Sequence, residues 1–179
     1  MLRGVNVGGH NIIKMEALRE LYLSIGLGKP QTYVQSGNVI FTTQREDLAQ
    51  LAERIENAIE EKFAFRPDVI LRTIDELRDV VSRHPFCAEP DFNPSKLIVT
   101  FLADFPTAEA RDSVEAIDRE PELLTIDGRE MFVYFQGGMG STKLPLAIIA
   151  KKLKTPGTGR NWNSVTKILE IAESLQTDL

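Results

Sequence analysis

The 179-residue chain is 42% hydrophobic and 26% charged, the balance of a folded protein with material for one good core or two small subdomains. A net charge of −5 and a pI near 5.2 argue against a surface that binds nucleic acid throughout, and the single cysteine, Cys87, excludes an internal disulfide and a multi-cysteine metal site. No stretch has the length of a transmembrane helix and Met1–Asn6 carries no secretory pattern, so no membrane association and a cytoplasmic location are expected.

In chain order, Leu2 to Val7 reads as a short strand, followed by the glycine-rich loop Asn6 to Asn11. Leu18, Leu21, Tyr22 and Ile25 recur at helical spacing and predict a helix over Met15–Ile25, stopped by Gly26 and Gly28 with Pro30 beyond. Gln31–Gln35 and Asn38–Thr43 are β-rich runs around Ser36-Gly37. A two-residue turn there would pair Gln35 with Asn38 and set Val34 against Val39. The apolar stripe Leu48, Leu51, Ala52, Ile55, Ile59, Phe63 predicts a helix over Glu46–Phe63, and Pro67–Arg72 reads as the next strand. The order is β-α-β-β-α-β, the ferredoxin-like split unit.

A linking helix over Ile74–Arg83 and a proline-bearing connection, Pro85–Pro94, lead into a partial repeat. Lys96–Leu102 is apolar on both faces and reads as a buried strand, and Thr107–Asp118 reads as a helix. Glu122–Ile126 and Glu130–Gln136 form a hairpin across Asp127-Gly128, and helices over Leu144–Leu153 and Ser164–Gln176 close the chain. The expected fold is α+β: a ferredoxin-like half over 1–84, then a related α+β half over 85–179 closed by two C-terminal helices.

Topology brings two polar loops together. The exit of the first strand and the first hairpin lie on one edge of the sheet, so Asn6-Val7-Gly8-Gly9-His10-Asn11 is expected beside Gln35-Ser36-Gly37-Asn38. Gly8 and Gly9 free the backbone to aim N–H groups at an anion, the following helix start adds partial positive charge, and Arg3 and Lys14 can add full charges. Gln35, Ser36 and Asn38 supply neutral donors and acceptors. The alternative is a glycine-rich turn with local hydrogen bonds and no ligand.

Further along, Gly137–Lys143 leads from a strand into a helix, but its hydroxyls precede Lys143, so it is not a P-loop. Ser141 or Thr142 is expected as the helix cap, with Pro145 in the first turn. Thr155–Ser164 reads as a loop in which Asn163 or Ser164 caps the last helix. In that loop Arg160 and Asn161 either reach an anion or base edge or bond loop carbonyls. Lys143, Lys151, Lys152, Lys154, Arg160 and Lys167 make the segment from Gly137 to Lys167 basic, as a partner-selecting surface or as an ordinary solvated one.

No Gly-x-Ser-x-Gly elbow and no dinucleotide fingerprint is present, and His10 and His84 have no second metal ligand at helical spacing. No cofactor or metal is expected, and the sequence leaves catalysis open.

Three motifs taken together, Arg3-Gly4-Val5-Asn6-Val7-Gly8-Gly9, Thr32-Tyr33-Val34-Gln35-Ser36-Gly37-Asn38-Val39 and Thr158-Gly159-Arg160-Asn161-Trp162-Asn163-Ser164-Val165, resemble the bacterial domain of unknown function 1697 family over nearly the whole chain. Members usually carry a few more apolar residues before the arginine, so the chain is expected to be short at its first strand. The resemblance implies an α+β protein of ferredoxin-like parts and brings no function with it. It also implies that the shared positions fall in loops: Arg3, Asn6, Gly8, Gly9, Gln35, Ser36, Gly37, Asn38, Lys143, Arg160, Asn161 and Trp162. The expected ligand-binding set is Arg3, Asn6, Gly8, Gly9, Gln35, Ser36, Asn38, Lys143, Arg160 and Asn161. The leading expectation is a module for an anionic ligand, a nucleotide or nucleic acid. A protein-interaction or oligomerisation module and an enzyme of a small phosphorylated metabolite are the alternatives.

Overall fold

A computed structural model describes residues 1–44, 47–89 and 91–177. It is α+β, with six α-helices and two antiparallel sheets among the described residues. The chain divides into two compact units, Met1–Ile74 together with the chain from Lys167 on, and Asp75–Thr166.

In the first unit, α1 (Met15–Ser24) buries Leu18, Leu21 and Tyr22, the stripe its spacing predicts. It stops at Gly26, whose φ of +77° suits glycine. Gly26 N–H donates to Leu23 O and Leu27 N–H to Tyr22 O, the Schellman pattern that satisfies the last carbonyls. β1 (Gly28–Tyr33) and β2 (Asn38–Thr42) pair antiparallel. α2 (Leu48–Phe63) is capped by Asp47, which accepts from Gln50 N–H, and buries Leu51, Ile55 and Ile59; the expected first residue, Glu46, lies outside the described residues. Leu2, Val5, Ile13 and Val69 join these helices in one apolar core.

Three expectations need correction here. The first strand shrinks to a single bridge, Leu2 with Val69, because Gly4 at φ +68° and Asn6 at φ +56° turn the chain out of extended geometry. The segment Pro67–Arg72 is reduced with it: it contributes Val69 to that bridge, flanked by Arg3 N–H to Asp68 O and Ile70 N–H to Met1 O. The hairpin turn has four residues, Val34 to Gly37, so Tyr33 faces Asn38 and Thr32 faces Val39, a register two residues from the expected one.

In the second unit, α3 (Ile74–Ser82) precedes a single 3-10 turn at Pro94–Lys96 and a four-stranded sheet in the order β4-β5-β3-β6. Its strands are β3 (Leu97–Leu102), β4 (Leu123–Asp127), β5 (Glu130–Tyr134) and β6 (Gly157–Asn161). One face, with Leu102, Leu124, Ile126, Met131 and Val133, is closed by Val114 of α4 (Ala108–Glu115) and by Ile149 and Leu153 of α5 (Leu146–Leu153). The β4–β5 turn is Gly128-Arg129, one residue later than expected, with Asp127 paired to Glu130. α6 (Trp162–Thr177) ends the described chain.

β6 is the element that sequence reasoning read as a loop. Gly157-Thr158-Gly159-Arg160-Asn161 has no apolar alternation, yet it runs antiparallel to β3 with Thr158 and Arg160 buried. Glycine keeps its other face clear of the β3 side chains. A Cβ on Gly157 would lie 2.9 Å from Thr100 Cγ2 and 3.0 Å from Leu102 Cδ2, and one on Gly159 would lie 3.3 Å from Ile98 Cγ2. The cap assignments shift too. Pro145 stands at the N-cap of α5 with no side-chain cap hydrogen bond, and Asn161 caps α6 by accepting from Asn163 N–H at 3.0 Å.

Candidate functional site

The two polar loops of the first unit do meet. Leu2 N–H donates to Gly37 O at 2.9 Å, and the Asn6 side chain donates to Gln35 O at 2.8 Å. Asn6 is the centre of the arrangement. Its Nδ2 also donates to Ile13 O, and its Oδ1 accepts from Ile13 N–H at 2.8 Å, so both amide hydrogens and the oxygen are engaged. Asparagine suits the site twice, because it tolerates the left-handed backbone that Asn6 adopts. Gly37 (φ +74°) lies against Leu2, where a Cβ would come within 2.8 Å of Leu2 Cβ.

Gly8 and Gly9 form a tight turn of their own. His10 N–H donates to Val7 O, Asn6 N–H donates to Asn11 O, and the glycines stand at φ +59° and +80°. The turn accounts for both residues without a ligand. At the start of β2, Asn38 is 1% exposed and donates to Tyr33 O and Ser36 Oγ, while in the turn the Gln35 side chain is exposed. Arg3 pairs with Asp68 at 2.8 Å, both side chains near half exposure. Beside the exposed His10, Asn11 and Gln35, these loops show three apolar side chains to water: Val7, Ile12 and Val34 are 63%, 64% and 50% exposed. Val34 is the odd residue among them, a β-branched side chain at φ +51°, where such residues are strained.

The other expected residues, Lys143, Arg160 and Asn161, belong to the second unit. Lys143 is exposed. Arg160 lies in a strand and is 7% exposed; its Nη1 donates to Thr158 Oγ1 at 2.7 Å and to Gly159 O at 2.8 Å. Burial pushes its pKa down to about 10. This is the carbonyl-bonding role rather than an outward-facing anion hook. Asn161 is likewise engaged, donating to Ser95 O at 2.8 Å while it caps α6.

Sequence reasoning missed a charged clamp. Arg83, just past α3, donates through Nε to Asp79 at 2.6 Å, through Nη1 to Asp127, and through Nη2 to the buried Glu130 at 2.5 Å. Burial opposes its charge, but the three carboxylates outweigh that and hold the guanidinium above its usual pKa. Arg129 of the same turn pairs with Glu76 and lies over the Phe105 ring. The i, i+4 spacing of Asp79 and Arg83 was visible in the sequence, but their link to a turn more than forty residues on was not.

No group of three His, Cys, Asp or Glu residues that could hold a metal ion occurs among the described residues, and no helix among them is long and apolar enough to cross a membrane.

The family model described as a protein of unknown function (DUF1697) matches residues 1–132. No curated protein matches the chain. Among solved structures, the chain is similar to the conserved bacterial protein SP0830 from Streptococcus pneumoniae. The identity is 23% and the TM-score 0.73, over 97% of this chain and 96% of that one, a likeness that speaks to the fold alone.

Proposed function

The chain belongs to the DUF1697 family of proteins of unknown function, and from that premise we propose a recognition module whose working surface is the loop pair 6–12 and 34–36 and whose partner is a protein presenting apolar side chains. One observation carries this reading: Val7, Ile12 and Val34 stand out into water from backbone that Asn6 has already fixed. Apolar groups on a preorganised frame bind with little further ordering, and each Å² they bury contributes roughly 25 cal/mol. The strained backbone at Val34 supports it, since strain with no packing gain in the free protein is a mark of functional loops. Strand-edge pairing, the other route to a partner, is opposed at one edge of each sheet. β1 carries Pro30 and a bulge, and on β6 the Gly159 carbonyl is taken by Arg160.

The test uses peptides selected from a random phage library on the whole chain. They are expected to lose about tenfold or more in affinity for V7D/I12D/V34D, while that variant keeps its melting temperature within a few degrees. Peptides that bind both proteins equally would dismiss the reading.

A second reading, an anionic ligand such as a nucleotide or nucleic acid, draws support from Arg3, whose exposed pairing with Asp68 is weak enough for a phosphate to displace. It requires that a labelled oligonucleotide bind in a salt-dependent way and that Arg3→Ala remove the binding; salt-independent or absent binding ends it.

Three coarser readings belong to the same proposal. A ferredoxin-like plan for the first half is supported by Met1–Arg3, which bonds Gly37 on one side and Asp68 and Ile70 on the other. Subdomains over 1–84 and 85–179 predict that limited proteolysis cuts first in the connection between them, and a first cut elsewhere speaks against that division. A cytoplasmic location fits the exposed free thiol of Cys87, and recovery of the native protein outside the cytoplasm would overturn it.

A further inference from the structure

A run of five rings crosses the second unit. Trp162, at the start of α6, faces His84 with centroids 4.6 Å apart, and His84 faces Phe92 at 5.2 Å. Phe92 stacks on Tyr134 at 5.6 Å, and Tyr134 meets Phe86 at 6.1 Å. Within this run, His84 joins the connection that follows α3 to the first residue of α6. Its Nδ1 is buried and, among the described residues, has no hydrogen-bond partner.

The charged groups on the surrounding elements do not bond the ring. Arg83 is held by Asp79, Asp127 and Glu130, and Arg160, two residues before Trp162, by Thr158 and Gly159. Lys96, beyond the connection, donates to Gln136 O. Glu89 is half-buried and Asp91 exposed on the connection itself.

We infer that His84 is an acid-sensitive latch: the neutral ring bridges Phe92 to Trp162, and a proton on Nδ1 releases that bridge. The chemistry turns on one atom. Neutral imidazole leaves Nδ1 as an acceptor, which tolerates an apolar wall, whereas imidazolium makes it a donor buried without an acceptor. Attraction between a charged ring and the Trp162 face pulls the other way. Burial works against the charged ring and lowers the pKa of His84 from its ordinary 6.5. A lowered folded-state value means that the neutral ring's contribution is whole above the unfolded pKa and is lost as the pH falls through the folded one.

Trp162 is the only tryptophan and therefore reports on the latch directly. On acidification of the whole chain from neutrality, its emission is expected to shift red, toward that of a solvated indole, while far-UV circular dichroism holds. His84→Phe keeps a ring and cannot titrate, so the step should vanish. His84→Gln removes the ring and should show red-shifted emission at every pH, which decides the matter if His84→Phe fails to fold. The inference is overturned by a wild-type emission that stays put, by quenching at constant wavelength (a charged ring still in place), or by a pH step that persists in either variant. A His84 proton resonance that titrates above its value in the urea-unfolded chain would overturn it equally.

Discussion

Asn6 and Arg83 perform the same mechanical task in the two units by opposite means. Asn6 ties two loops together with a neutral amide, its donors and acceptor all spent on main-chain groups. Arg83 ties the end of α3 to the β4–β5 turn with a full charge answered by three carboxylates, one of them on the buried Glu130. A neutral tie is indifferent to salt and pH and depends on backbone position. A charged tie tolerates backbone change but depends on every partner keeping its charge.

Removing the charged tie is the strongest way to break this comparison. Arg83→Ala takes the guanidinium from a buried carboxylate, and loss of one member of such a pair costs about 3–5 kcal/mol. Thermal unfolding is expected to fall by roughly 10 °C, and Arg83→Lys should recover less than half, since one ammonium cannot serve three carboxylates in that fork geometry. A melting temperature unchanged in Arg83→Ala would show the clamp to be ornamental.

The neutral tie comes next. Asn6→Ala removes its side-chain hydrogen bonds and leaves alanine at φ +56°, for a loss of about 2–3 kcal/mol by urea unfolding. Asn6→Gly relieves the backbone part alone, so the gap between the two variants measures the strain and the remainder measures the amide. Equal losses would mean that strain plays no part. The smallest effect sharpens the contrast from the other side. Arg3→Ala, which breaks a half-exposed ion pair, is expected to change stability by no more than about 0.5 kcal/mol, and a loss near that of Arg83→Ala would erase the distinction between surface and buried charge.

The elements that could be read in advance are those whose own periodicity specifies them. α1 and α2 declare themselves by Leu18, Leu21 and Tyr22 and by Leu51, Ile55 and Ile59, all buried as their spacing requires. The meeting of the loops around Asn6 and Gln35 was also legible, because it follows from chain direction alone. What escaped depends on partners distant in sequence. β6 is a strand because β3 offers it a ladder, not because Gly157–Asn161 carries an apolar pattern. For the same reason Arg160 passed for a loop residue, although it lies buried along that ladder. The hairpin register was missed because Val34 enters a turn that its side chain resists. The clamp at Arg83 joins residues whose separation leaves no local signal.

The glycines of β6 carry a consequence for how this chain can vary. Thr100, Leu102 and Ile98 lean across the neighbouring lane and occupy the volume that side chains at Gly157 and Gly159 would need. Bulk on β3 and its absence on β6 are thus a lock and its keyway. Added size at position 157 would be met by Thr100 and Leu102, and added size at position 159 by Ile98 and, at 3.7 Å, by Thr100, which stands opposite it in the ladder. An ancestral or designed sequence that enlarges one side without trimming the other must displace these side chains to keep the strand.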